Sequence, residues 1–189
     1  VAAVCVWPRL AAFARSQLPA HIGVAAVANF PDGSTDVERA VRDTDEIVQA
    51  GAQEVDVVLP WRALQAGDEA AVAAVLRSVR RACEGLTLKV ILESGELGAN
   101  GNTTLITRAS RLALAEGADF LKTSTGKTTR HASLSAAEAM LTAIASDALA
   151  RERVGLKPSG GLRTVADVQP YLALVAQHLG SGALNPKRF

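Results

Sequence analysis

The chain has 189 residues, 49% of them hydrophobic, and 20 Lys and Arg face 19 Asp and Glu for a formal net charge of +1. This length buries one substantial core, and the near balance of charge provides neither a basic face for nucleic acid nor an acidic tail. No apolar run reaches the ~18 residues that span a bilayer, and the opening apolar stretch lacks a basic leader before Pro8-Arg9.

Cys5 and Cys83 have neither the density of a disulfide framework nor metal-ligand spacing, which suits a reducing cytoplasm. His21, His131 and His178 are scattered, so no zinc constellation is expected.

In chain order, Val1 to Val6 reads as a strand that ends at Trp7-Pro8, with Cys5 near its C-terminal end. Arg9 to Leu18 forms a short helix and Ile22 to Asn29 a second strand, closed by the turn-rich Asn29-Phe30-Pro31-Asp32-Gly33. Thr35 and Glu38 have capping-box spacing. The helix behind them runs to about Ala50, with Val37, Val41, Thr44 and Val48 on one stripe and Ile47 beside it. A strand over Glu54 to Pro60 comes next, followed by a connector from Trp61 to Gly67. Asp68 opens a helix on which Val72, Val75, Leu76, Val79 and Cys83 recur at helical spacing. After the strand Thr87 to Glu93, a helix is expected from about Asn102 to Glu116, with Leu105, Ile106, Ala109 and Leu112 buried. Asp119 to Thr123 is a strand. A helix from about Leu134 to Ala150, capped by Ser133 or the Ser135/Glu138 pair, leads to a last strand over Val154 to Lys157. Thr164 opens the final helix, with Val168, Tyr171, Leu172 and Val175 inward and Pro170 weakening its early turns.

Six strand–helix units in one domain over residues 1–189 indicate a parallel α/β fold. Four of the strands carry a charge on one face and aliphatic residues on the other: Asp56, Lys89, Lys122 and Lys157. An open doubly wound sheet is covered by helices on both faces and is apolar on both. A closed barrel has an interior where a few charges converge, so a barrel with these four residues inward is the better reading. Eight strands are expected of that class, and the chain reads as cut at both ends.

Four ordered motifs then become informative: Val4-Cys-Val-Trp-Pro-Arg9, Glu54-Val-Asp-Val-Val58, Phe120-Leu-Lys-Thr-Ser-Thr-Gly-Lys127 and Gly155-Leu-Lys-Pro-Ser-Gly-Gly161. Together with Ala28-Asn-Phe-Pro31 and Leu88-Lys-Val-Ile91, they resemble deoxyribose-phosphate aldolase. The resemblance implies a (βα)8 TIM barrel, here apparently truncated to about six units, working as a class I, Schiff-base-forming aldolase without cofactor or metal. It implies reversible cleavage of 2-deoxyribose 5-phosphate to acetaldehyde and glyceraldehyde 3-phosphate. Motif by motif, it makes Lys122 the Schiff-base lysine, Lys157 the second active-site lysine and Asp56 the acid/base carboxylate. Gly126, Lys127, Gly160 and Gly161 fall where the substrate phosphate is held, and Cys5 is added as a substrate-side residue. The partners so implied are small phosphosugars and aldehydes, with no nucleic acid or membrane. A cytoplasmic location is expected, and a homo-oligomer stays open.

The chemistry asks for these residue types. Cleaving a carbon–carbon bond leaves electrons that need a sink, and a protonated imine on lysine provides one. The attacking amine must be neutral, and a second ammonium at ~4 Å repels the first by about 4 kcal/mol at an effective dielectric of ~20, which favours proton loss. Asp56 suits the accompanying proton transfers, and it equally suits a salt bridge that holds Lys157. Lys89 either tunes the electrostatics or pairs with Glu93 or Asp56. Two alternatives stand beside this reading: another Schiff-base barrel aldolase acting on a ketose phosphate, and an inactive phosphosugar-binding or assembly module.

Overall fold

The structure is a computed structural model that describes residues 1–189. The elements in order are β1 (Ala3–Val6), α1 (Pro8–Gln17), β2 (Gly23–Ala28), α2 (Val37–Gln49), β3 (Glu54–Val58), α3 (Trp61–Gln65), α4 (Glu69–Ala82) and β4 (Thr87–Ile91). There follow α5 (Ser94–Leu97), α6 (Thr104–Ala115), β5 (Phe120–Lys122), α7 (Leu134–Ser146), α8 (Ala148–Arg153), β6 (Gly155–Lys157) and α9 (Val165–Leu179). The six strands form one sheet in sequence order, each parallel to the next.

That sheet is curled. At ~4.8 Å per strand, β3 and β6 of a flat sheet would stand ~14 Å apart, beyond the combined reach of an Asp and a Lys on the same face. Lys157 of β6 nevertheless contacts Asp56 of β3 at 3.2 Å. Cys5 of β1 reaches the same carboxylate at 3.4 Å. The concave face therefore gathers side chains from both ends of the sheet.

The convex face carries the aliphatic set, with Val55, Val57, Leu88, Val90, Leu121 and Leu156 essentially inaccessible beneath the helices. Asp68 caps α4 by accepting from Ala71 N, and Val72, Val75, Leu76 and Val79 are buried as the spacing predicts. Cys83 joins them in the core.

Several boundaries differ from expectation for identifiable reasons. Helix α2 is capped by Asp36, whose carboxylate accepts from Arg39 N, and not by Thr35 with Glu38; Asp is the stronger cap. Its buried stripe is Ala40, Thr44 and Ile47, and Val48 is exposed, because a small residue faces the sheet where hydrophobicity alone selects the valines. In α6 the buried stripe is Ile106, Ala109, Ser110 and Ala113, with Leu105 and Leu112 half-buried. The Trp61 to Gly67 connector contains the short helix α3, whose Arg62 guanidinium lies 3.9 Å over the Trp61 ring. The helix expected to run to Ala150 breaks at Asp147, which accepts from Leu149 N and Ala150 N and starts α8. Ser133 alone caps α7. Helix α9 has the Thr164/Asp167 capping box and continues through Pro170 to Leu179, burying Tyr171 and Val175.

Gly155 is required by its surroundings. A Cβ there would sit 2.3 Å from the Phe120 ring and 2.5 Å from the Arg188 carbonyl. The chain after α9 returns along β6, and Leu156 N donates to Arg188 O at 3.0 Å.

Candidate active site

Strand register stacks the inward residues in pairs. Asp56 stands beside Lys89, and Lys122 beside Lys157. Neighbouring β2 offers only Gly, Val and Ala (Gly23–Ala28), which leaves room for long side chains to cross the interior. Phe120 lies below Lys122 on the same face, its ring 5.7 Å from the Lys89 ammonium.

All of these lysines converge on one carboxylate. Asp56, fully buried, accepts from Lys122 at 2.7 Å and from Lys157 at 3.2 Å on the same oxygen, Oδ2. Lys89 donates to the other oxygen, Oδ1, at 3.2 Å, and the Cys5 thiol reaches Oδ2 at 3.4 Å. Burial by itself would push the Asp56 carboxyl up, but the Lys122, Lys89 and Lys157 ammoniums together hold it well below the usual carboxylate range. The same carboxylate pushes the Lys157 ammonium up against the opposing effect of burial. Burial, with Asp56 adding to it, pushes the Cys5 thiol up, so this sulfur stays a neutral thiol.

Cys5 is exposed overall. Its thiol nevertheless turns inward. With Trp7, Val27, Phe30, Lys122 and Lys127 it lines a cavity of about 240 Å³ at the C-terminal ends of the strands. A larger cavity, about 350 Å³, lies around Ser94, Thr103, Arg130 and Ser133. It contains none of the converging lysines, so chemistry and not size selects the smaller one.

Lys89 does not meet Glu93. Strand β4 ends at Ile91, and Glu93 turns the chain in a left-handed conformation (φ 52, ψ 53), which takes it off the Lys89 face. Lys89 instead bridges Asp56 and Glu54, with a short contact to Glu54. The buried Glu93 carboxylate accepts from the Thr125 hydroxyl and amide and from the Thr128 hydroxyl, fixing the loop after β5. Burial pushes the Glu93 carboxyl up, and the Thr125 and Thr128 bonds oppose it. Glu54 escaped the sequence reading, and Glu93 entered it only as a partner for Lys89, not as the anchor of the loop after β5. The signal for Glu54 was present, since it stands two residues before Asp56 and shares its face.

The loops after β5 and β6 are clasped together. Thr123 Oγ1 donates to Ser159 O at 3.1 Å and accepts from Ser159 N at 2.9 Å, while Ser159 Oγ donates to Ser124 O at 2.6 Å. Gly126, Gly160 and Gly161 all have positive φ (74, 83 and 81). A Cβ on Gly126 would lie 4.0 Å from Gly160 Cα, so the two turns adjoin. Their three amides have no acceptor within the protein, and exposed Lys127 stands beside them, an arrangement suited to an anion.

Lysines sharing a buried carboxylate on the concave face of a parallel α/β sheet are an arrangement suited to amine chemistry on a carbonyl substrate. The sequence profile of the DeoC/LacD family aldolases matches residues 1–183, and the chain belongs to that family. Deoxyribose-phosphate aldolase of Agrobacterium fabrum (strain C58) is 46% identical over 191 residues, covering 100% of this chain and 71% of the relative. Among solved structures, a candidate deoxyribose-phosphate aldolase from Toxoplasma gondii ME49 superposes with a TM-score of 0.89 at 27% identity, covering 100% of this chain and 75% of that one. Another from Coccidioides immitis gives 0.84 at 30% identity, over 98% and 72%. No helix is long and apolar enough to cross a membrane.

Proposed function

We propose that the chain is a class I aldolase that reversibly cleaves 2-deoxyribose 5-phosphate to acetaldehyde and glyceraldehyde 3-phosphate, with Lys122 as the Schiff-base lysine. The observation that carries this reading is that Lys122 and Lys157 share one oxygen of the fully buried Asp56. One negative charge compensates only one ammonium, so Asp56 cannot hold both protons equally. Two ammoniums on one oxygen stand no more than ~6 Å apart, which amounts to about 3 kcal/mol of repulsion at an effective dielectric of ~20. Lys122 is the more enclosed, with 8% of its side chain exposed against 31% for Lys157. Lys122 is therefore the amine that becomes the nucleophile, and Lys157 stays charged.

Neutral Lys122 adds to the substrate aldehyde carbon. Protons relayed through Asp56 and Lys157 convert the carbinolamine to an iminium with loss of water. A base then takes the proton of the substrate's C3 hydroxyl while the C2–C3 bond breaks, and the bonding electrons pass into the iminium to give an enamine. Protonation of the enamine carbon and hydrolysis return acetaldehyde and free Lys122. The 5-phosphate is held by the Gly126, Gly160 and Gly161 amides and by Lys127.

The reading extends the curled six-stranded sheet to a (βα)8 barrel in the whole protein, forming a single domain. It assigns small phosphosugars and aldehydes as partners and a cytoplasmic setting, in which Cys5 and Cys83 remain thiols. A cleavage assay on 2-deoxyribose 5-phosphate beside a panel of ketose phosphates tests it. Turnover of the deoxy sugar alone supports the assignment, and turnover confined to a ketose phosphate overturns it.

A further inference from the structure

Neither Glu54 nor Lys89 has a part in the steps above, yet both lie in the same polar layer. Five charged groups meet on the concave face: Glu54 and Asp56 of β3, Lys89 of β4, Lys122 of β5 and Lys157 of β6. From β1 the only titratable group is the neutral Cys5 thiol, and β2 contributes none. Above the layer, Glu93 is engaged by Thr125 and Thr128, and Lys127 lies at the exposed rim. With every group in this layer ionised, three ammoniums face two carboxylates. The interior then holds one uncompensated positive charge in a water-poor space, and that excess is relieved when one amine gives up its proton.

We infer that the Glu54–Lys89 pair sets this charge count, and that Glu54 and Lys89 are positioning residues which adjust, through Asp56, the pH at which the nucleophilic amine becomes available. Lys89 is fixed between Glu54 and Asp56 Oδ1, so it draws on the carboxylate that Lys122 and Lys157 also share. Removing Lys89 leaves two lysines and two carboxylates, and the excess disappears. Removing the Glu54 charge leaves three lysines and one carboxylate, and the excess grows. Removing both restores an excess of one. The inference rests on the aldolase reading, and the trapping control below separates the two.

The test is the pH profile of cleavage, together with aldehyde trapping on borohydride reduction, for Lys89→Met, Glu54→Gln and the double variant, each checked by circular dichroism. Lys89→Met is expected to move the alkaline rise in activity up by about 1.5 pH units, the effect of one charge ~8 Å away at an effective dielectric of ~20. Glu54→Gln is expected to move it down by a similar amount, and the double variant to return it to the parental position. Folded single variants whose profiles do not move, or a double variant displaced like either single one, would overturn the inference. Should one single variant fail to fold, the other and the double variant still give the sign. If the parental chain itself traps no aldehyde, the aldolase reading fails first.

Discussion

Asp56→Asn is the substitution that bears most heavily on both fold and chemistry. Asparagine keeps the shape of the side chain and removes the charge on which Lys122, Lys89 and Lys157 converge at 2.7, 3.2 and 3.2 Å. Breaking a buried ion pair by removing one partner costs about 3–5 kcal/mol, a large share of the ~5–15 kcal/mol that holds a domain folded. The pH dependence gives a sharper signature. The ammoniums hold the Asp56 carboxyl below its ordinary value despite burial, so its contribution to stability is fully present above the unfolded carboxyl's pKa of ~3.9. That contribution is lost as the pH falls below it. Urea unfolding of parent and variant between pH 7 and pH 3 should therefore show a gap of a few kcal/mol at neutral pH that narrows below about pH 4. Cleavage at neutral pH should fall at least ~100-fold, the usual scale for losing a proton-transfer group. A gap under about 1 kcal/mol at pH 7, or one of unchanged size at pH 3, would refute the argument that this carboxylate is the electrostatic centre of the interior.

Two further outcomes follow from the same geometry. Lys157→Leu removes the ammonium that shares Asp56 Oδ2, and the ~3 kcal/mol of repulsion it supplied corresponds to at least ~100-fold in cleavage rate, measured by steady-state assay with the fold intact. Unchanged turnover would remove Lys157 from the mechanism. Lys127→Ala should raise KM for 2-deoxyribose 5-phosphate by roughly 10-fold or more while leaving cleavage of unphosphorylated 2-deoxyribose nearly unaltered, since one charge-assisted contact is worth ~1.5–3 kcal/mol. Equal losses on both substrates would place Lys127 outside the phosphate site.

The layers most legible in the sequence were those governed by strict alternation. A charge in mid-strand between aliphatic neighbours fixes which face is interior, and Asp56, Lys89, Lys122 and Lys157 all lie on the concave face of the sheet. Lys89 was open between Glu93 and Asp56 because alternation runs on through a strand, whereas the left-handed turn at Glu93 ends it. Glu54 obeys the same alternation as Asp56, but its partner is set by strand order and register: β3 pairs with β4 so that Asp56 stands opposite Lys89, and Lys89 reaches Glu54 diagonally. Helix faces were read less well. In α2 the sheet-facing position belongs to Ala40, which carries little hydrophobic signal, and a packed close approach rewards small volume there. The break at Asp147 needed cap geometry that the apolar run on either side conceals.

The central claim is that Lys122 is the nucleophile, and reductive trapping tests it most directly. The intact chain is incubated with acetaldehyde and borohydride, and the alkylated residue is located by peptide mapping. The account expects the added two-carbon unit on Lys122, with little on Lys157 or Lys89. Alkylation confined to Lys157 or Lys89 in a folded protein, with Lys122 unmodified, would contradict it.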